Sequence, residues 1–251
     1  MAITRDWNGA DYDRLSAPME AMGRAVLDRL PLAGDETVID AGCGSGRVTQ
    51  ALLERLPRGR VIGVDGSASM IAAARERLGG DPRVELLVAD LTELDVAPAD
   101  AILSTATFHW IADHALLFAR LRAALRPGGR LVAQCGGAGN IAAVHAAARR
   151  VGAAQPFAPH LAAWAGPGRF AAPGETEGLL AEAGFAGARA WLEDRPVTPE
   201  DPHAYLREIN LGAHLQQLPE ALREAFVGAV LAELGPDPTI GYVRLNIDAV
   251  A

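Results

Sequence analysis

The sequence predicts an α/β protein organised on a doubly wound parallel sheet, and three observations predict it. Short β-branched runs alternate with helical apolar stripes five times between Thr37 and Gln134, a pattern that requires crossover connections and therefore parallel strands. The first run, Thr37-Val38-Ile39, passes through Asp40 into glycines at every second position, Gly42, Gly44 and Gly46. The second, Val61-Ile62-Gly63-Val64, likewise ends on a carboxylate, Asp65.

Taking the chain in order, residues 1–15 hold Trp7 and Tyr12 among polar neighbours. Ser16 and Pro18 mark a helix start, and Met19, Met22, Val26 and Leu30 form one apolar stripe. Past the glycines, Val48, Leu52, Leu53 and Leu56 keep helical spacing until Pro57, so the glycine loop joins a strand to a helix. Glycine there permits φ > 0 and lets a ligand touch bare main chain, while the helix start offers unsatisfied N–H groups. Ser67 can cap a helix running through Met70, Ile71, Ala74 and Leu78, stopped by Gly79-Gly80. Val84 to Val88 is the third strand, and Asp90 follows it as either a ligand contact or a helix cap.

Ala101-Ile102-Leu103-Ser104 is the fourth strand, and Thr105 to Trp110 fills its carboxyl end, where open α/β sheets bind ligands. Asp113 and His114 look like the start of the next helix, whose stripe is Leu116, Leu117, Leu121 and Leu125. Arg126-Pro127-Gly128-Gly129 ends it, and Arg130 to Gln134 is the fifth strand. From Gly136 the pattern loosens. An amphipathic piece spans Ile141 to Val151, and Trp164 and Phe170 stand in a Gly-, Ala- and Pro-rich stretch. Leu179, Leu180 and Ala183 belong to a helix closed by Gly184, Ala188 to Leu192 reads as the sixth strand, and Thr239 to Ala249 as the last. Pro202 to Leu218 and Pro219 to Leu234 read as two helices of an inserted cap.

The ligand follows from the carboxylates. Position 47 is Arg where the dinucleotide fingerprint needs Gly or Ala, and Asp40 beside the loop would repel a pyrophosphate. Asp65 at a strand end can take both hydroxyls of a ribose. A nucleoside with a cationic tail suits both carboxylates, and S-adenosyl-L-methionine is that molecule. A nicotinamide oxidoreductase is the disfavoured rival.

Asp40-Ala41-Gly42-Cys43-Gly44-Ser45-Gly46, Asp65, Ala89-Asp90-Leu91 and Leu125-Arg126-Pro127-Gly128-Gly129 together resemble the ordered motifs of class I S-adenosylmethionine-dependent methyltransferases over roughly residues 35–135. Trp7, Tyr12, Phe108-His109-Trp110 and Tyr242-Val243-Arg244-Leu245-Asn246 resemble the trans-aconitate methyltransferase-like small-molecule group within that class. The resemblance implies a Rossmann-like, seven-stranded, mostly parallel sheet with an antiparallel last strand. It implies a single domain: 1–32 as lid helices, 33–135 as the cofactor-binding core, 136–238 as a variable acceptor-binding cap interleaved with strand six, and 239–251 as the final strand. The lid would fold Trp7 and Tyr12 over the cofactor; the plainer alternative is an edge helix with two surface aromatics. The cofactor set it implies comprises Trp7, Tyr12, Arg14, Asp40, Gly42, Cys43, Gly44 and Gly46, then Asp65, Gly66, Met70, Ala89, Asp90, Leu91 and Thr105. Asp90 would accept the adenine amino group.

His109 is the candidate base or acceptor ligand, because an unperturbed imidazole titrates near pH 6.5. Trp110, Arg149, His160, Tyr205 and His214 are the candidates for holding the acceptor. A carboxylate acceptor needs no base, and arginine forks suit it; a hydroxyl or acidic carbon makes His109 useful. O-methylation of a carboxylate or hydroxyl is the leading expectation. C- or N-methylation, or a fold relative that binds the cofactor without transferring methyl, stand as alternatives.

Composition narrows the classes further. All basic residues are arginine and the chain has no lysine, which excludes a pyridoxal Schiff base, a Walker A loop and a Tyr-x-x-x-Lys dehydrogenase. Cys43 and Cys135 show no Cys-x-x-Cys pattern and no His-Glu-x-x-His occurs, so no metal is expected. A net charge of −8 argues against nucleic acid. The absence of a long apolar run or leader pattern predicts a cytoplasmic protein with no membrane segment. Its expected partner is a small-molecule acceptor, and its expected assembly a monomer or homodimer.

Overall fold

The computed structural model describes residues 17–164 and 166–251, with side chains described from Met22 onward. Trp7, Tyr12 and Arg14 lie outside the described residues, while the 17–32 part of the expected lid is described and packs on the sheet through Val26, Leu27 and Leu30. Strands β1 (Thr37–Ala41), β2 (Arg60–Asp65), β3 (Val84–Val88), β4 (Ala99–Thr105) and β5 (Leu125–Gly136) are mutually parallel. β7 (Val243–Val250) lies between β5 and β6 (Ala186–Asp194) and runs antiparallel to both. The sheet order is β3-β2-β1-β4-β5-β7-β6. It reverses direction between β1 and β4, so a crevice opens there at the carboxyl ends of the strands.

Period-two alternation divides the strand residues between two helical layers. Val38, Val61, Leu103 and Val132 pack with α1 (Ala17–Asp28) and α2 (Arg47–Glu54). Ile39, Ile62, Ile102 and Leu131 pack on the opposite face with α4 (His114–Ala123) and α7 (Pro173–Glu182). α3 (Ala68–Leu78) follows β2 and contacts β2 and β3. Val38, Ile39, Ile102 and Leu103 are fully buried, as both faces of a parallel sheet require.

The segments between β5 and β6 and between β6 and β7 build a third apolar cluster of their own. α5 (Ala142–Gly152) and α6 (Ala158–Leu161) contribute Val144, Ala148 and Leu161, and α10 (Glu220–Leu234) contributes Phe226 and Val230. The stretch expected as one helix from Pro202 to Leu218 is broken instead. It consists of α8 (Pro202–Tyr205), a π-turn Leu206–Asn210 and α9 (Gly212–Gln217). The wider turn displaces the backbone register, and Ile209 and Asn210 line the crevice as a result.

Candidate active site

The glycine loop is shaped by its neighbours as well as by its own freedom. Gly42 has φ +83°, and a Cβ there would lie 2.0–2.5 Å from the Thr107 side chain. Gly44 has φ +54° with nothing within 4 Å of where its Cβ would stand, so its main chain is open to a ligand. The Gly42 and Cys43 N–H groups donate to Val64 O at 2.7 and 3.0 Å, which clips the loop to the end of β2. Gly44 N–H donates to Asp65 Oδ2 at 2.9 Å and Ser67 N–H to Asp65 Oδ1 at 2.8 Å. Each carboxylate oxygen keeps a second lone pair for a ligand. Burial pushes the Asp65 pKa up, and these two N–H groups oppose that shift.

Asp40 is placed differently from the expectation. It shares strand parity with Val38, so its side chain turns beneath the loop toward α2, fully buried and off the cavity wall. Thr49 donates to its Oδ2 at 2.6 Å, while Oδ1 is buried with no partner among the described residues. Burial pushes its pKa up to about 6. Gly46 is likewise off the wall: it starts α2, and a Cβ there would meet Ala74 and Leu78 at 3.2–3.3 Å. Cys43 is on the wall, and burial raises its thiol pKa.

A cavity of about 590 Å³ occupies the crevice. The β2 and β3 ends supply Asp65, Gly66, Met70, Val88, Ala89, Asp90 and Leu91 to its wall. Asp90 is a helix cap, its Oδ1 accepting from Thr92 N–H at 2.9 Å and Thr92 Oγ1 at 2.8 Å, and it also lines the cavity. Val88 is 50% exposed and lies on the same wall, which gives a flat ring an apolar surface to cover. From the other side, β4, β5, β7 and the π-turn supply Thr105, Gln134, Asn210, Tyr242 and Arg244.

His109 sits on a short 3₁₀ turn, Phe108–Trp110, held by His114, whose Nε2 bonds Phe108 O at 2.9 Å. The ring stacks on Phe170 at 5.8 Å between centroids. Gly136 N–H donates to His109 Nδ1 at 3.3 Å. A backbone N–H can only donate, so Nδ1 is the unprotonated nitrogen and Nε2 carries the proton. Burial, with Arg244 nearby, pushes the imidazole pKa down to about 3. The ring therefore has an N–H to offer while its lone pair is engaged by Gly136, an arrangement that suits an acceptor ligand better than a base.

Arg244 is only 3% exposed, yet it lines the cavity, with Nε donating to Gln134 Oε1 at 3.3 Å. Trp110 shares this cavity. Arg149 and His214 line a neighbouring one instead. Tyr205 stands one layer behind, its hydroxyl hydrogen-bonded to that of Tyr242 at 3.1 Å. His160 lines neither cavity and faces solvent, because α6 turns the adjacent Leu161 inward. Sequence reasoning missed Gln134, Asn140, Asn210 and Arg244 as cavity residues. Only Arg244 carried a signal, its place in the closing Tyr-Val-Arg-Leu-Asn motif. Among the described residues, no cluster of three or more metal-ligating side chains is assembled, and no helix is long and apolar enough to cross a membrane.

A doubly wound sheet with an open glycine loop and an acidic second strand end is the class I methyltransferase arrangement. Residues 38–129 match the methyltransferase domain family. The chain is 43% identical over 129 residues to a trans-aconitate 2-methyltransferase of Acidovorax ebreus, covering 51% of this chain and 49% of that protein. It is 37% identical over 160 residues to the trans-aconitate 2-methyltransferase of Methylobacterium nodulans, covering 63% and 60%. The chain thus spans about half the length of most of these curated relatives. In fold it resembles Haemonchus contortus phosphoethanolamine N-methyltransferase 2 in complex with S-adenosyl-L-methionine (TM-score 0.61, 20% identity, 96% of this chain and 56% of that one). It also resembles a Streptomyces coelicolor geranyl diphosphate C-methyltransferase (TM-score 0.56, 19% identity, 96% and 82%).

Proposed function

We propose that the protein is an S-adenosylmethionine-dependent methyltransferase that esterifies the carboxylate of a small molecule. One observation carries the choice of acceptor. A buried guanidinium, Arg244, shares the cavity wall with a histidine whose lone pair is engaged by Gly136. A hydroxyl acceptor must lose a proton as it attacks; a carboxylate has already lost it. The relatives named as trans-aconitate methyltransferases support a carboxylate acceptor.

The residues present fit the cofactor. Gly44 exposes main chain, Asp65 has a spare lone pair on each oxygen for the ribose hydroxyls, and Val88, Met70 and Leu91 offer apolar surface for the adenine. When bound, S-adenosylmethionine supplies an electrophilic methyl group on a sulfonium. Asp40, ionised under the loop above about pH 6, favours a cationic tail without touching it. Arg244 pairs with the acceptor carboxylate, His109 donates Nε2–H to it, and Trp110 and Phe170 exclude water, so that positioning supplies most of the rate. Residues 33–135 hold the cofactor, and the acceptor lies between His109 and Trp110 of that part, the 136–238 cap and Arg244 of the final strand.

Transfer of labelled methyl to a panel of carboxylic acids and matched alcohols tests this. The expected product is an ester, released as methanol by mild base; transfer to alcohols alone overturns the reading, and no transfer to any acceptor favours a non-methylating relative. Arg244→Gln should raise KM for the acid by about tenfold or more, the loss of one charge-assisted hydrogen bond, with S-adenosylhomocysteine affinity retained.

A further inference from the structure

A second cavity, of about 480 Å³, adjoins the first, and the two share Asn140, His145, Pro167 and Phe170. Its walls come from α5, the 161–170 segment and α9. Most are small or apolar, such as Ala148, Leu161 and Trp164. Two histidines interrupt this lining. His214 is 5% exposed and has three rings around it: Trp164 edge-on at 4.8 Å, Phe226 at 5.9 Å and His145 at 6.2 Å. His145 also packs on Phe170 at 5.3 Å.

His145 Nε2 and His214 Nδ1 are buried without a hydrogen-bond partner among the described residues. Burial pushes their pKa values down to about 4 and about 3, so at neutral pH both rings are uncharged, each with one donor and one acceptor. An unsatisfied buried polar atom destabilises the fold and requires a reason. Filling the cavity with a ligand supplies one. Uncharged rings do not attract an ion, and the ring-lined walls favour a flat partner. Arg149 also lines this cavity but is solvent-exposed, so its charge is screened.

We propose that the second cavity extends the acceptor site and takes a flat, uncharged, hydrogen-bonding group, such as a phenol, at the far end of the acid whose carboxylate meets Arg244. The carboxylate half of this statement rests on the function proposed above. The acceptor is then a hydroxyaryl-type acid with a tether long enough to cross from one cavity to the other.

Calorimetry on the full chain saturated with S-adenosylhomocysteine tests the two halves separately. The probes are hydroxyphenyl-alkanoic acids of increasing tether length, the same acids without the ring, phenyl acids without the hydroxyl, and hydroxyphenyl-alkanols without the acid. At the best tether the hydroxyphenyl acid should bind about tenfold more tightly than either the ring-free or the hydroxyl-free acid, the worth of one buried hydrogen bond. His214→Leu should abolish most of its advantage over the hydroxyl-free acid; where that variant does not fold, His145→Phe serves the same purpose. Equal affinity for the hydroxyphenyl and ring-free acids, or an advantage that survives in both variants, overturns the proposal. A phenyl acid that matches the hydroxyphenyl acid overturns the hydrogen-bonding class. If the alkanol binds as well as the acid and His214→Leu weakens both, the second site stands and the carboxylate reading falls.

Discussion

Asp40 and Asp65 flank one loop and are treated in opposite ways. Asp65 accepts two backbone N–H groups and faces the cavity. Asp40 accepts a single hydroxyl and is sealed. Its pKa of about 6 in the folded protein stands above the ordinary 3.8, so the native state holds a proton that the unfolded chain has lost. The stability this contributes is complete below about pH 4 and is lost as the pH rises through about 6. Asp40→Asn keeps an oxygen for Thr49 and never ionises. At pH 7 the variant without ligand should therefore be more stable than the parent by of order 2–3 kcal/mol, with the difference vanishing near pH 4; urea midpoints at the two pH values measure it. The acidic strand ends were readable in the sequence because strand length and glycine spacing fix them. The direction in which Asp40 points follows from its strand parity with Val38, which turns it toward α2 and away from the cavity. The tautomer of His109 was not readable, since it depends on an N–H from Gly136, 27 residues away.

At the scale of elements, the loop and the fourth strand's exit are one unit. Thr107 Oγ1 donates to Thr105 O at 3.0 Å and reaches Gly42 O at 3.3 Å, and its side chain fills the space a Gly42 Cβ would need. Gly42→Ala should thus meet two costs, a strained φ and a steric overlap, together about 2–4 kcal/mol. Adding Thr107→Ser should recover only part of the loss, because shortening the side chain leaves the φ of +83° untouched. Chemical denaturation of the single and double variants gives the split, and full recovery would mean that the overlap alone matters. The strands and the helices between them were legible because each has a strict period and a glycine or proline stop. The cap was less so: nothing in Leu206–Asn210 announces a π-turn, and cavity residues such as Asn140 and Asn210 depend on how three separate segments pack.

At the scale of the whole molecule, the cofactor has to reconcile charges that the protein alone leaves unbalanced. The glycine loop ends on a helix that could hold phosphate, yet Asp65 and Asp90 line the cavity beside it and Asp40 lies beneath it. A dinucleotide would bring its pyrophosphate over the loop, directly above the buried Asp40. A nucleoside carrying only a compact cationic tail meets Asp65 with hydroxyls and leaves its positive end near the loop, so binding should couple strongly to folding. At a ligand concentration one hundred times Kd, that linkage adds about 2.7 kcal/mol, equivalent to a rise in melting temperature of roughly 5–10 °C for a domain of this size. S-adenosylhomocysteine should produce a rise of this order in a thermal scan, and NADH at the same concentration none. Because the sulfonium charge is absent from S-adenosylhomocysteine, the sulfonium analogue sinefungin, which keeps a cationic amine there, should raise it further. That extra increment should shrink below about pH 6 as Asp40 takes up its proton, tying the buried carboxylate to the ligand's charge through the loop between them.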